Sequence, residues 1–518
     1  MARGPFFSPP RAGGALLAAL LAVLPAAARA TPPSAAQLDA LFDGRRVRAA
    51  SAVDVSSGPR AAGRIAAQTR AAGLDGWLEL ERGIALQKML ANVSPPGAAP
   101  GSVAASPSHA DPDYWYNWRR DAALTMQEVV ALYEKSADPA RKAAYLKILT
   151  DYASFVKKEQ AAATSAPAGL GEPKYNMDGT PYTGPWGRPQ DDGPAEEAST
   201  LIEMARAFLQ AGRKDLAAGL YGDFKTGIKA DLEYVSHNWG ETSFDVWEEV
   251  KAHHLDTQVA QRNALREGAW LARRLGDSGA ADWYDEQAAA LEQSLGRFWD
   301  PQKGYLVSSR DRDGGLDYKS SGLDAAVILA AIHRRPVDGE ALPAGEDAAY
   351  SATDPRVLAT AEALKERFRS EYGINGRGPG VAIGRYPEDK YFGGNPWFLL
   401  TAAFAQLDYM AAKDFRGRGA IPVKDADLAF FRGILGAAGG ALKAGATLRA
   451  GDPLFDAVLR GLKADGDAEL ACVRAHAGPD GSLSEQMDRD SGYMTSARDL
   501  TWNYASILSA LAARDALN

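Results

Sequence analysis

The stretch Trp397-Phe398-Leu399-Leu400-Thr401-Ala402-Ala403-Phe404-Ala405-Gln406-Leu407-Asp408-Tyr409-Met410 is apolar on nearly every side when wound at 3.6 residues per turn. A helix of that kind must be enclosed by others. Ala280 to Arg297 is also helical in pattern but carries one clear polar face. The contrast predicts two concentric layers, enclosed helices inside and amphipathic ones outside. The rest of the chain agrees. Tyr145, Ile148, Leu149, Tyr152, Phe155 and Val156 share one helix face, as do Met126, Val129, Val130 and Tyr133. Val357, Ala361, Leu364 and Phe368 repeat the spacing behind Asp354-Pro355, a cap followed by proline at the first helical position. Leu500, Tyr504, Ile507, Leu508 and Leu511 mark a last helix. Strand-like alternation is confined to Gly304–Arg310 and short pieces near Gly380–Arg385, so the fold class is all-α.

Long Gly- and Pro-rich connections separate these helices, at about 93–117, 164–194, 305–319, 371–395 and 476–498. Connections of that length in a compact domain are usually functional. Several run directly into a helix start, at Asn117–Asp121, Asp191–Pro194, Gly394–Pro396 and Ser496–Asp499. If antiparallel hairpins close into a ring, every second connection emerges at the same end, and these loops converge there. Seven of the eleven tryptophans, Trp115, Trp118, Trp186, Trp239, Trp247, Trp397 and Trp502, lie in or beside them. An apolar ring body with an N–H suits stacking on a sugar face.

Residues 1–30 read as an export signal: Arg3 and Arg11, an apolar run from Ala15 to Ala28, and an Ala28-Arg29-Ala30 cleavage pattern that would start the mature chain at Thr31. The apolar run is too short for a membrane span and Pro25 interrupts its end. A secreted or periplasmic protein, free of the membrane once the signal is removed, is expected. Loss of Arg3, Arg11 and Arg29 takes the net charge from −8 to −11, and no basic cluster interleaves with aromatics, which argues against nucleic-acid partners. Residues 31–73, rich in Ala, Ser and Gly, are expected to be irregular, and 74–518 to form a single catalytic domain. Cys472 is the only cysteine, set in Leu470-Ala471-Cys472-Val473, and reads as a buried thiol, so the fold is held by its core alone. The six histidines form no ligand spacing, and neither a metal nor another cofactor is expected.

Two carboxylate-bearing segments stand far apart in sequence, Phe244-Asp245-Val246-Trp247-Glu248-Glu249-Val250 and Ser484-Glu485-Gln486. Cleavage of a glycosidic bond needs two such groups, one protonated to donate to the leaving oxygen and one ionised to activate water or attack carbon. An exposed acidic pair on a helix is the plain alternative for Glu248-Glu249, and a solvated loop carboxylate for Glu485.

Six motifs, in order, resemble glycoside hydrolase family fifteen, the glucoamylases, particularly the compact fungal type. They are Ala105–Ser108 with Asp111–Asp121; Gly169–Asn176 with Trp186–Gln190 and Gly193-Pro194; Asp245–Val250; Gly384–Asp389; Gly394–Phe398; and Ser484–Gln486 running on to Ala497–Trp502. The resemblance implies an α/α toroid of six helical hairpins, with the active site where the inner helices begin. It implies exo-attack on the non-reducing ends of starch-like α-glucans, with inversion, by a monomer. Carried over by position, Glu248 is the general acid and Glu485 the general base, some 6.5–9.5 Å apart as an inverting pair requires. Trp247 and the like charge of Glu249 are expected to raise the pKa of Glu248, and a polar setting to keep Glu485 ionised. Arg120 and Asp121 resemble the clamp on the terminal glucose hydroxyls, with a helix-start salt bridge as the structural alternative. Arg385 resembles a second substrate-binding cation, with an ion pair to Glu388 or Asp389 as its alternative. Tyr114, Trp118, Trp186 and Trp502 match sugar-contacting aromatics, and Trp247 and Glu249 complete the expected substrate-binding set.

The chain departs from the fungal pattern at Lys251-Ala252-His253-His254-Leu255-Asp256, just past the implied acid, where contact with the leaving sugar is expected. Preference for α-1,6 links or for trehalose therefore stays open, as does a non-catalytic glucan-binding role. Asp311-Arg312-Asp313-Gly314-Gly315 loosely suggests a calcium loop but lacks the remaining ligands and reads as a turn. Asp191-Asp192 lacks the further spaced aspartate that a diphosphate site would need.

Overall fold

The computed structural model describes residues 73–167, 169–333 and 350–517. The expected export signal (1–30) and, apart from Gly73, the segment 31–73 lie outside the described residues. Fourteen α-helices run through the described chain: α1 (Leu74–Ala91), α2 (Arg119–Lys135), α3 (Pro139–Gln160), α4 (Asp192–Gln210), α5 (Lys214–Tyr221), α6 (Ile228–Asn238), α7 (Leu255–Leu275), α8 (Ser278–Leu295), α9 (Ala326–Ile332), α10 (Pro355–Glu371), α11 (Phe398–Arg418), α12 (Leu428–Leu435), α13 (Pro453–His476) and α14 (Thr501–Asp515).

Six of them close a ring. α2 packs on α4, α4 on α7, α7 on α9, α9 on α11, α11 on α14, and α14 back on α2. Each carries an outer partner: α3 on α2, α5 and α6 on α4, α8 on α7, α10 on α9, α13 on α11, and α1 on α14. The result is the α/α toroid of six hairpins, with the first described helix supplying the outer partner of the last. Side-chain burial follows the layers. Phe398, Leu399, Leu400, Phe404, Leu407 and Phe415 of α11 are all buried, whereas α8 buries one face only, through Ala281, Tyr284, Ala288, Leu291 and Leu295. At about 1.5–3 kcal/mol for each large apolar side chain removed from water, the inner ring carries most of the cohesion. Caps set several outer helices. Asp354 accepts from the Arg356 amide ahead of α10, and Asp138 accepts from the Ala140 and Arg141 amides ahead of α3, each with proline next in line. No helix among the described residues is long and apolar enough to cross a membrane.

Short strands occur only between helices. The largest sheet is antiparallel, with Val250–His254 in the middle between Ser243–Phe244 and Ser309–Gly315. One strand expectation needs correcting: Gly380–Arg385 enters no sheet. A central strand not anticipated, Val250–His254, holds the first four of the six positions, Lys251–Asp256, that depart from the family pattern. Asp311–Gly315 is not a turn but part of an edge strand, where Asp311 pairs with Arg297 and Asp313 with Lys251.

One buried cluster ties four helices together. Arg119, at the start of α2, contacts Glu197 of α4 and Asp231 of α6, the latter at 2.9 Å, and Gln160 at the end of α3 donates to Asp231 at 2.8 Å. Burial drives these carboxyls toward their neutral form and Arg119 opposes it. Removing one partner of a buried cluster leaves uncompensated charge. Arg119→Ala is expected to destabilise the protein by about 3–5 kcal/mol, measured as a lower denaturation midpoint in urea with unchanged slope.

Candidate active site

One chamber of about 700 Å³ opens at the starts of the inner helices α2, α11 and α14. Trp118, Arg120 and Asp121 reach it from the start of α2, Arg385 and Trp397 from the approach to α11, and Leu500 and Trp502 from the start of α14. Trp247, Glu248 and Glu249 enter from the turn that precedes the strand leading into α7. Helix N-termini carry partial positive charge, so their convergence favours a chamber rich in carboxylates.

Glu248 is presented by a tight turn. Its amide donates to the Asp245 carbonyl (2.8 Å), and Asp245 Oδ1 accepts from the amides of Glu249 (2.6 Å) and Val250 (2.9 Å). Glu248 itself sits at φ +67°, a left-handed conformation that a non-glycine residue holds only when its surroundings enforce it. Its Oε1 accepts from Trp118 Nε1 at 2.7 Å and Gln190 Nε2 at 3.0 Å, leaving Oε2 without a recorded protein donor. This is neither an exposed pair nor a helix. Glu249 turns the other way, bound by Arg385 (2.9 Å), the Tyr386 hydroxyl (2.6 Å) and Lys319 (3.2 Å). Its charge is balanced by two cations rather than standing as a bare like charge beside Glu248.

Glu485 lines the same chamber yet is only 1 % exposed. Its amide donates to the Ala497 carbonyl at 2.7 Å, and its carboxylate accepts from Gln486 Nε2 at 3.0 Å and from the Ser496 hydroxyl. Ser496 is left-handed too, at φ +64°. The expected ionising setting is only partly realised. Burial pushes the Glu485 carboxyl up to about 7, against the donors Ser496, Tyr114 and Gln486 and the charge of Arg385. The physical reason is the apolar wall, which the sequence around Glu485 did not announce. The Tyr114 hydroxyl feels the charges of both Glu485 and Glu248, and hydrogen-bonds the Tyr391 hydroxyl at 2.6 Å.

All eleven site residues expected from sequence, Tyr114, Trp118, Arg120, Asp121, Trp186, Trp247, Glu248, Glu249, Arg385, Glu485 and Trp502, line this chamber. Both structural alternatives for the cations are realised as well. Arg120 contacts Asp121 (3.2 Å) and Asp192 (2.9 Å), and Arg385 binds Asp389 (2.8 Å), while Glu388 instead accepts from Ser321. Burial, countered by Arg120, lifts the Asp121 carboxyl to about 6. Of the seven loop tryptophans, Trp115 and Trp239 stay outside, the first tilted against the His109 ring and the second donating to Gln287. The positions after Val250 also miss the chamber: Lys251 pairs with Asp313, and His254 bonds to Ser309 and to main-chain carbonyls. Pairing in the central strand directs them away from the chamber.

Several lining residues were not anticipated. Lys174 is held among the rings of Trp186 (3.6 Å), Tyr116 (4.1 Å), Tyr182 (4.3 Å) and Trp118 (4.6 Å), and burial lowers it to about 8 against the charge of Glu248. Lys174 and Gln190 lie inside recognised motifs and could have been singled out. Tyr391 and Phe392 fall between two motifs, with no local signal. Among the described residues one carboxylate trio, Asp408, Asp465 and Glu469, is tight enough to hold a cation. Lys365 Nζ already fills it, at 3.1, 2.6 and 2.6 Å.

The family model "Glycosyl hydrolases family 15" matches residues 83–512. The chain belongs to this family. It is 39 % identical to "Glucoamylase 1" of Rhizopus oryzae over 445 residues, covering 84 % of this chain and 70 % of that protein. It is 32 % identical to the "Probable glucoamylase" of Schizosaccharomyces pombe over 461 residues, 87 % and 94 % of the two chains. Among solved structures, the family 15 glucoamylase from Hypocrea jecorina superposes with a TM-score of 0.78 at 33 % identity, covering 86 % of this chain and 72 % of that one. Glucoamylase from Saccharomycopsis fibuligera gives 0.76 at 31 % identity, covering 86 % and 96 %. The family 15 protein is thus a glycoside hydrolase.

Burying Glu485 has a thermodynamic signature in this family 15 enzyme. Its folded pKa, about 7, lies above the ordinary 4.5, so the folded state binds the extra proton between those values. Ionised Glu485 destabilises the fold fully above about pH 7 and not at all well below pH 4.5. Glu485→Gln is expected to be more stable than wild type by about 1–3 kcal/mol at pH 8. The gap should close as pH falls through that window, read from unfolding curves at pH 4 to 8.

Proposed function

We propose that this enzyme is a glucoamylase: a secreted, monomeric hydrolase that removes glucose from the non-reducing ends of α-1,4-linked glucans with inversion, giving β-D-glucose. The observation that carries the reading is that Glu248 and Glu485, 237 positions apart in sequence, line one chamber with Arg120, Asp121 and Arg385. The names of the relatives point the same way. The feature that left α-1,6 preference open lies outside the chamber, so it lends that alternative no support. Both candidate carboxylates are present, which disfavours a silent binding protein.

In this reading Arg120 and Asp121 grip the hydroxyls of the terminal glucose, and Tyr114, Trp118, Trp186 and Trp502 pack on its faces and edges. Glu248, held through Oε1 by Trp118 and Gln190, delivers a proton from its free oxygen to the glycosidic oxygen. As that bond breaks, Glu485 takes a proton from water, and the water oxygen bonds to the anomeric carbon from the opposite face. Arg385, beside Trp247, Tyr391 and Trp397, holds Glu249 on the leaving-sugar side. The only large apolar side chains strongly exposed among the described residues are Phe224, Phe392 and Tyr493, too few for an obligate subunit interface.

Glu248→Gln and Glu485→Gln are each expected to cut turnover on maltose by roughly 10²–10⁴-fold while keeping a cooperative unfolding transition. The first product by proton NMR should be the β-anomer; initial α-glucose, or near wild-type turnover in either variant, would defeat the reading. A second test concerns pH. The Ser496 hydroxyl donates to Glu485 and so favours its charged form. Ser496→Ala raises the pKa of the base, and the acid limb of the kcat/KM profile should move to higher pH.

A further inference from the structure

The turn carrying Glu248 is flanked by acidic groups that should push it apart. Asp245 lies three residues before Glu248, Glu249 one residue after, and Asp324 accepts from Trp247 Nε1 at 2.9 Å. One ammonium joins all three: Lys319 Nζ stands 2.8 Å from Asp245 Oδ2, 3.2 Å from Glu249 Oε2 and 3.7 Å from Asp324 Oδ2. It also lies 3.8 Å from the centre of the Tyr386 ring, whose hydroxyl binds Glu249. The Lys319 side chain is 12 % exposed, and these neighbours keep it charged despite burial. Burial opposes ionisation of Asp245, but Lys319 and His254 outweigh it and hold that carboxyl below its ordinary value.

The geometry makes this contact consequential. Asp245 Oδ1 fastens the amides of Glu249 and Val250 while Oδ2 is fastened by Lys319, so a single carboxylate transmits the lysine's grip to the backbone on the far side of Glu248. The segment that delivers Lys319 is itself docked on the turn: the Leu316 amide donates to the Glu249 carbonyl at 2.9 Å. A Cβ on Gly315 would lie only 2.1 Å from that same carbonyl oxygen, so the approach is as close as glycine permits. Without the ammonium, three carboxylates would repel at short range in a poorly screened pocket, and the left-handed residue between them would lose the constraint that keeps it there.

We infer that Lys319 is a positioning residue for the proton donor: it clamps both sides of the Glu248 turn and thereby holds the Glu248 carboxyl at the glycosidic oxygen. The inference rests on Glu248 being the acid, and the experiment separates the two claims. Maltose needs a proton on its leaving oxygen, whereas fluoride leaves α-glucosyl fluoride with little protonic help. Lys319→Met and Lys319→Gln are expected to lower kcat on maltose by roughly 10–100-fold, and on α-glucosyl fluoride by less than about threefold. Lys319→Arg, which restores the charge, should recover most of the maltose rate. Cooperative thermal unfolding certifies the fold of each variant. Wild-type maltose turnover in the folded Met and Gln variants, or an equal loss on both substrates, would overturn the clamp. Glu248→Gln is the control. A selective loss on maltose upholds its role as acid, and an equal loss on both substrates removes that role whatever Lys319 does.

Discussion

The mouth of the ring depends on matching buried carboxylates with cations. Asp121, Asp192, Asp245, Glu248, Glu249, Asp324, Asp389 and Glu485 crowd a region walled by aromatic and aliphatic side chains, where an isolated negative charge is costly. Arg120, Lys319 and Arg385 answer most of them, each touching at least two. The inner-helix N-termini add a diffuse positive field from below. Among the described residues Glu485 has no ion-pair partner at close range, only hydroxyl and amide donors and the more distant charge of Arg385, and its carboxyl is lifted accordingly. Asp121 and Asp324 are lifted as well, to about 6, because burial outweighs Arg120 and Lys319 there.

Part of the backbone strain follows the same map. Non-glycine residues with positive φ include Glu248, Ser496, Asp499 and Phe392, all in or next to the chamber lining. Three of the four are held by identified contacts: Glu248 by the Asp245 turn, Ser496 between Glu485 and Ala497, and Asp499 by Lys88 and the Tyr504 hydroxyl. Such conformations cost about 1–3 kcal/mol apiece and survive where many contacts over-determine them. At Glu248 the strained turn aims a carboxylate into the cavity, whereas the Asp499 carboxylate is spent on Lys88 and the Tyr504 hydroxyl.

The layered architecture was legible in the sequence because it rests on periodicity. The all-round apolar α11 and the one-faced α8 announced an inner and an outer ring directly. The site was legible for a different reason, that its residues sit in motifs resembling a known family. What escaped reading was whatever depends on a partner distant in sequence. Lys319 carries no local sign that it will meet Asp245, 74 positions away. The burial of Glu485 comes from walls contributed by other loops, and the strand at Val250–His254 is defined by its pairing with Ser309–Gly315. Asp311–Gly315 looks like a turn by composition, yet tertiary pairing makes it an edge strand.

The ring must also close without a covalent tie, since Cys472 is the only cysteine and is buried. The contact of α14 with α2 closes the inner ring, and α1 braces it as the outer partner of α14. Arg82 pairs with Asp515 and Asp75 with Arg514 at one end of the contact. At the other, Lys88 binds Asp499 at 2.9 Å, and the Asn92 side chain donates to the Asp499 carbonyl at 3.1 Å and to the Thr501 hydroxyl at 2.8 Å. These contacts fix the left-handed residue three positions after Ser496, the hydroxyl that donates to Glu485. The contacts that seat α1 on α14 thus also brace Asp499, in the same loop as the Ser496 that donates to Glu485.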